Sequence, residues 1–206
     1  MSRLREDSTA PTPVAVRDGD DATTRTRNRL LDAVIHIAGT RGVDKVTYRS
    51  VGARAGLSHS LVRFHFGSRE AMVTRALERA ARLDASESQL LSDDIDTFSS
   101  GMVRAISTNR SRGMVQYDYL LRAVRGGAPT EHVTGLYDLC IGQVSGTLEN
   151  IGIDDSDGSR AALILAALDG LVLQHAIYRS DERTEAMLGS LRGMLRLLQS
   201  RDESPP

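Results

Sequence analysis

Val46-Thr47-Tyr48-Arg49-Ser50-Val51-Gly52-Ala53-Arg54-Ala55-Gly56-Leu57-Ser58-His59-Ser60-Leu61-Val62-Arg63-Phe64-His65-Phe66-Gly67-Ser68 carries the start and stop signals of two helices within 23 residues. Thr47 suits an N-cap, because its hydroxyl can accept a bond from one of the free N–H groups of a first helical turn. Gly56 suits the left-handed residue that ends the helix about two turns later. Ser58 can cap a second short helix that ends near Phe66, and Gly67-Ser68 breaks the chain again. Two short helices joined by a turn of about three residues containing glycine form a helix-turn-helix.

The pattern stays helical on both sides. Upstream, Leu30, Val34, Ile37 and Ala38 fall at i, i+4, i+7 and i+8, with Arg27, Arg29 and Arg41 off that stripe and Gly42 at its end. Downstream, Ser68 caps a longer helix running to about Leu91. Further helices are expected near 94–108, 113–124, 130–151, 159–179 and 182–199. Gly126-Gly127 with Pro129, the acidic loop 152–158 and Ser180-Asp181 separate them. No strand pattern is convincing, so the fold class is all-α with about nine helices. Residues 1–24 and 201–206 read as disordered tails. Between them, 25–85 reads as a head containing the helix-turn-helix (about 47–66), and 86–200 as a second helical domain.

The chain has 206 residues, is 40% hydrophobic and 26% charged, and has a net charge of -1. The total hides a division. Residues 25–83 carry 11 Arg and 1 Lys against 4 acids, or +8; residues 84–206 carry 11 Arg against 18 acids, or -7; the first 24 residues add -2. A basic segment attached to an acidic one points to an anionic partner for the basic part. The longest unbroken apolar run, 161–168, is far short of the roughly 20 residues of a spanning helix, and the N-terminus has no apolar h-region. The expectation is a cytoplasmic protein, on the nucleoid when DNA-bound, with no membrane partner. One cysteine, Cys140, excludes an internal disulfide framework and a multi-cysteine zinc site.

In a helix-turn-helix the second helix enters the major groove, and its exposed side chains reach base edges. Here those are His59, Ser60, Leu61 and Arg63, with Ser58 at the start of that helix also expected at DNA. The partner helix aims its N-terminus, at Thr47 with Tyr48 and Arg49, toward phosphate. Ser68 and Arg69 supply a second N-terminus and a cation on the other side. Phe64 and Phe66 read as core plugs rather than base platforms, and His65 as a structural or backbone-contacting residue.

Arg29-Leu30-Leu31-Asp32-Ala33 through Gly42, then Thr47, Val51-Gly52-Ala53-Arg54-Ala55-Gly56-Leu57-Ser58, then Phe64-His65-Phe66-Gly67-Ser68-Arg69-Glu70, resembles the DNA-binding domain of the TetR family of bacterial regulators. The resemblance covers about 60 residues. It implies a homodimeric repressor whose heads bind a palindromic operator in double-stranded DNA and whose helical C-terminal part binds a small-molecule effector. It implies phosphate contacts for Thr47, Arg49 and Arg69, and base contacts for His59 and Ser60. The chain departs from the family with Ser60 in place of a common Gly, Arg63 in place of a usual Tyr, and Ala38 in place of a usual Phe.

The stretch 161–173 is apolar almost all round, and Met187, Leu188, Leu191, Met194, Leu195 and Leu198 form a stripe in the last helix. Leu165, Leu168, Val172, Leu188, Leu191 and Leu195 are the candidates for a two-fold interface, against the alternative of internal core helices. Candidates for a ligand cavity are Phe98, Met102, Met114, Tyr117, Leu121, Tyr137 and Cys140; for each, ordinary core packing is the competing role.

No phosphate-binding loop, dinucleotide fingerprint, zinc-protease helix or hydrolase elbow occurs in the sequence, and Asp154-Asp155-x-Asp157 lacks the rest of a calcium loop. The expectation is therefore no catalytic residue, no metal and no cofactor. Two readings compete with a ligand-responsive regulator: a helical enzyme or small-molecule binder with an incidental basic face, and an architectural DNA binder without sequence preference.

Overall fold

A computed structural model describes residues 18–202, and side chains for 22–202. The described residues form nine α-helices and no strand: α1 (Asp18–Arg41), α2 (Tyr48–Ala55), α3 (His59–Phe66), α4 (Arg69–Ser88), α5 (Met102–Thr108), α6 (Arg110–Val124), α7 (Thr130–Asn150), α8 (Ser159–Tyr178) and α9 (Asp181–Asp202). A 3-10 turn, Val43–Lys45, joins α1 to α2. The all-α expectation holds.

Two apolar cores share one long helix. The first gathers Leu30, Val34 and Ile37 of α1, Val51 of α2, Val62 and Phe66 of α3, Met72 and Leu77 of α4, and Val115 and Tyr119 of α6. The second joins Ala85 at the end of α4 to Phe98, Leu148, Leu168, Leu188 and Leu195. The cores therefore meet within α4. In α1, Leu31, Ala33 and Ile35 are buried as well as the expected stripe, because α6 packs along a second side of the helix. Gly39 marks that crossing: a Cβ there would lie 2.0 Å from the carbonyl oxygen of Ser111.

Element ends differ from expectation where polar groups, not apolar period, decide them. Helix α1 already includes residues 18–24, read above as tail; with no large apolar residue there, periodicity has nothing to register. Likewise α9 continues through residues 201–202. Residues 1–17 and 203–206 of the two expected tails lie outside the described residues. The helix expected from residue 94 begins only at Met102. The Ser92 hydroxyl instead donates to the Asp94 carbonyl at 2.9 Å, and Ser99 N–H donates to the Gln89 carbonyl at 3.0 Å with Ser99 at φ +55, local bonds that compete with a helix. Gly101 then passes so near α4 that a Cβ would lie 1.9 Å from the Glu87 carbonyl oxygen.

Helix α8 differs in another way. By length and composition it is the one described helix able to cross a membrane, with a mean hydropathy of 1.6. One side of it, with Ala161, Ile164, Leu165, Leu168 and Leu171, is buried within the chain. The opposite side leaves Leu163, Leu173 and Ile177 exposed.

Candidate nucleic-acid interface and ligand cavity

The helix-turn-helix is built by local chemistry. The Thr47 hydroxyl accepts from Ser50 N–H at 3.1 Å, and the Ser50 hydroxyl accepts from Thr47 N–H at 2.9 Å. This reciprocal pair closes the first turn of α2. Gly56 ends α2 at φ +64, and Ser58 and Ser68 cap α3 and α4 by accepting from Leu61 N–H (3.2 Å) and Ala71 N–H (3.0 Å). Gly52 lets the two short helices meet, since a Cβ there would stand 2.7 Å from the Leu57 carbonyl oxygen.

Of the residues expected at DNA, Thr47, Arg49, Ser58, His59, Ser60, Arg63, Ser68 and Arg69 are exposed, while Tyr48, Leu61 and His65 are half-buried. Two also hold the head together. Tyr48 donates its hydroxyl proton to the Gly67 carbonyl at 2.8 Å. Arg69 donates to the carbonyls of Val46 (2.8 Å) and Val43 (2.6 Å), clamping the loop before α2 onto the start of α4.

Phe66 is buried, as expected of a core plug, but Phe64 is not: it is 82% exposed. One turn beyond Ser60 and beside Arg63, it belongs to the outward face of α3, and its ring meets the edge of His65 at 5.7 Å. Helical spacing could have found it. Positions 60 and 64, one turn apart, lie opposite Val62 and Phe66, but the aromatic side chain suggested burial.

The second core borders a cavity of about 370 Å³, partly open to solvent, between α4, α5, α6, α7 and α8. Met102, Met114, Tyr117, Tyr137 and Cys140 line it. Phe98 does not: it is 1% exposed and packed into the second core. Leu121, 47% exposed, faces outward from α6. Apolar composition alone cannot separate a wall residue from its neighbour one step round the helix. Leu165, Leu168 and Val172 line the cavity as well, and Leu188, Leu191 and Leu195 pack into the second core. All six are buried or half-buried within the chain, and the outward side of these helices carries Leu163, Leu173 and Ile177 of α8 with Met194 and Leu197 of α9. A helix apolar all round gives no sequence signal as to which side turns inward.

Polar groups missed by sequence reasoning also face the cavity. Asp169 lies amid the apolar run of α8, and the Tyr117 hydroxyl donates to its carboxylate at 3.4 Å and to its main-chain carbonyl at 3.3 Å. Burial raises the Asp169 pKa, partly offset by hydrogen bonds from Tyr137 and Tyr117. Burial likewise pushes the Tyr137 hydroxyl up to about 12 and the Cys140 thiol up to about 11. Cys140 is thus a neutral wall group rather than a thiolate nucleophile. A carboxylate interrupting 161–173 was the available sequence signal, since an acid is rarely buried without a partner. His175, also at the cavity, is held by Thr184 at 2.9 Å and reaches the Ser107 hydroxyl at 3.3 Å.

Helix α6 touches both sites. Met114 and Tyr117 face the cavity, while Arg122 grips the Asp44 carboxylate of the head at 2.7 and 3.0 Å. Tyr119 of α6 and Thr74 of α4 both bond Nδ1 of His132 on α7, at 2.9 and 3.3 Å.

Residues 30–76 match the family model described as bacterial regulatory proteins, tetR family, and residues 93–197 match the one described as tetracyclin repressor-like, C-terminal domain. No curated protein sequence is significantly similar to the chain. Among solved structures, a TetR-family transcriptional regulator from Rhodococcus sp. is similar at a TM-score of 0.70 and 18% identity, over 85% of this chain and 99% of that one. Salmonella enterica GusR gives 0.68 and 16%, over 85% and 96%. A transcriptional regulator from Saccharomonospora viridis, in complex with choline, gives 0.58 and 20%, over 81% and 95%. At these identities the likeness is one of fold.

Proposed function

Because the chain belongs to the TetR family and is a transcriptional regulator with a helix-turn-helix DNA-binding head, we propose that it is a ligand-responsive homodimeric repressor, acting in the cytoplasm on a palindromic operator. The observation that carries this reading is α6, which forms a cavity wall and grips the head through Arg122 and Asp44. The choline complex of the Saccharomonospora viridis regulator supports a small molecule as the cavity's occupant.

In this mechanism Thr47, Arg49, Ser68 and Arg69 meet phosphates and set the register. His59, Ser60, Arg63 and Phe64 face the bases, where Arg63 can pair with guanine and Phe64, having no polar atom, can touch the thymine methyl. Tyr48 and the main chain around Ser58 support them, and Leu61 and His65 flank them. The uncovered apolar face of α8 and α9 is occupied by the same face of a second copy, which sets the spacing of the two heads. A bilayer suits it less well, because Asp169 and the cavity lie on the inward side of the same helix. Ligand in the cavity shifts α6, and α4 with it, toward a dimer whose recognition helices no longer match major grooves about 34 Å apart. One lost base contact per head costs about 1–3 kcal/mol, so misfit at both heads releases the operator.

Selection from random duplexes tests this. The expected product is a palindrome whose half-sites are one helical turn or a multiple apart, with affinity falling steeply with salt as about 6–10 phosphates are released. Arg49→Ala then weakens all sequences alike, while His59→Ala changes which is preferred. Enrichment of no sequence favours an architectural binder, and no duplex binding at low salt favours a helical enzyme or ligand-binding protein.

A further inference from the structure

Among the described residues no cationic side chain pairs with Asp169 in the cavity. The groups that stabilise the Asp169 carboxylate are the hydroxyls of Tyr137 and Tyr117, whereas the cavity's other interior acid, Asp84, is held by the Arg112 guanidinium and the Gln116 amide. The cationic side chains that line the cavity, Arg110 and Arg179, are exposed. Asp181 is exposed too, and His175 is engaged by Thr184 and Ser107. A carboxylate taken out of water is costly unless it takes up a proton or a positive charge joins it.

The walls beside Asp169 suit one kind of positive charge. Tyr117 bonds the carboxylate and Tyr137 lines the same cavity, Met114 and Cys140 add polarisable sulfur, and leucines supply much of the apolar wall. Aromatic faces attract a cation electrostatically and most strongly where water is excluded. A nitrogen clad in alkyl groups gives up little hydration on entering such a space, whereas a bare ammonium gives up much. Anions would meet Asp169 and Asp84 across an apolar interior, and a neutral molecule would leave Asp169 as it stands.

Resting on the ligand-sensor reading above, we propose that the cavity takes an organic monocation with an alkylated nitrogen, seated against Asp169 and between Tyr117 and Tyr137. Asp84 is already engaged by Arg112 and Gln116, which leaves Asp169 as the cavity acid open to an incoming positive charge.

Calorimetric titration of the full chain tests the proposal with choline, benzyltrimethylammonium and 3,3-dimethyl-1-butanol, the last having the shape of choline without its charge. The expected result is that both cations bind and that the alcohol binds at least tenfold more weakly than choline. Asp169→Asn is expected to cut cation affinity about tenfold or more while leaving the alcohol's unchanged. The wild-type pair of isosteres decides the matter even if the variant fails to fold. Equal binding of alcohol and choline, cation binding indifferent to a folded Asp169→Asn variant, or no cation binding at all would overturn the proposal. Operator affinity measured with each compound separates this from the sensor reading. Release of DNA by neutral molecules alone keeps the sensor and removes the cation site; cation binding that leaves DNA affinity unchanged does the reverse.

Discussion

Arg122 on α6 holds the carboxylate of Asp44, in the 3-10 turn that leads into α2, through two hydrogen bonds of 2.7 and 3.0 Å. The guanidinium holds Asp44 below its ordinary pKa, and a third contact, to Asp118 at 3.4 Å, ties the same arginine to its own helix. The pair is exposed, so its contribution to overall stability is small. In the proposed mechanism its position, between a cavity wall and the entry to the helix-turn-helix, couples the two. Arg122→Ala is expected to leave folding and operator affinity nearly unchanged while reducing the ligand's effect on DNA binding about fivefold or more, within the usual range of couplings between sites. Fluorescence anisotropy of labelled operator, with and without ligand, measures this. An undiminished ligand response would remove the pair from the coupling.

Phe64 yields a prediction specific to one methyl group. With the selected operator in hand, replacing a contacted thymine by deoxyuridine deletes only the 5-methyl. The wild type is expected to lose about fourfold in affinity, from roughly 0.8 kcal/mol per buried methyl, and Phe64→Ala is expected to lose nothing further on the same replacement. A full deoxyuridine penalty in Phe64→Ala would show that the ring touches something else.

The two sides of α8 answer differently to substitution. Leu173→Arg places a charge on the outward face and is expected to give folded monomers in sedimentation velocity. Leu168→Ala, on the buried side at 1% exposure, is expected to cost about 2–5 kcal/mol of stability and to leave folded protein dimeric. A dimeric Leu173→Arg variant would move the interface elsewhere.

Asp84 predicts a pH dependence of unusual sign for an acid. Burial raises its pKa to about 6 from 3.8, against the pull of Arg112 and Gln116. In that window the folded chain holds a proton that the unfolded chain has released, so this group's contribution to stability falls as pH rises from about 4 to about 6 and is level above. Urea denaturation at pH 4.5 and 6.5 measures the slope, and Asp84→Asn is expected to remove this part of it. An unchanged difference between the two pH values in Asp84→Asn would refute the assignment. Arg112 also bonds Glu87, whose pKa it lowers, so it keeps an anionic partner on both sides of the window.

Much of the head was legible in the sequence because its signals are local. Thr47, Gly56, Ser58 and Ser68 act on backbone groups within a few residues, and such chemistry can be read in one dimension. The same reasoning misplaced Phe64, because residue type suggested burial and spacing did not. In the body, periodicity located the helices but not their contacts. It started α5 eight residues early, since Ser92, Ser99 and Gly101 work through partners that only packing supplies.

By itself, the sequence determined that the chain is all-helical, that a basic helix-turn-helix is joined to an acidic helical body, and that Thr47, Ser58 and Ser68 cap the helices of the head. Only the tertiary structure decided which side of α8 faces inward, and so placed Leu165, Leu168 and Val172 on the cavity wall. Only it brought Asp169 to Tyr117 across 52 residues of chain and Arg122 to Asp44 across 78. The reason is physical: capping and helical period depend on near neighbours, whereas the side a uniformly apolar helix buries, and the partner a carboxylate finds, depend on elements distant in sequence.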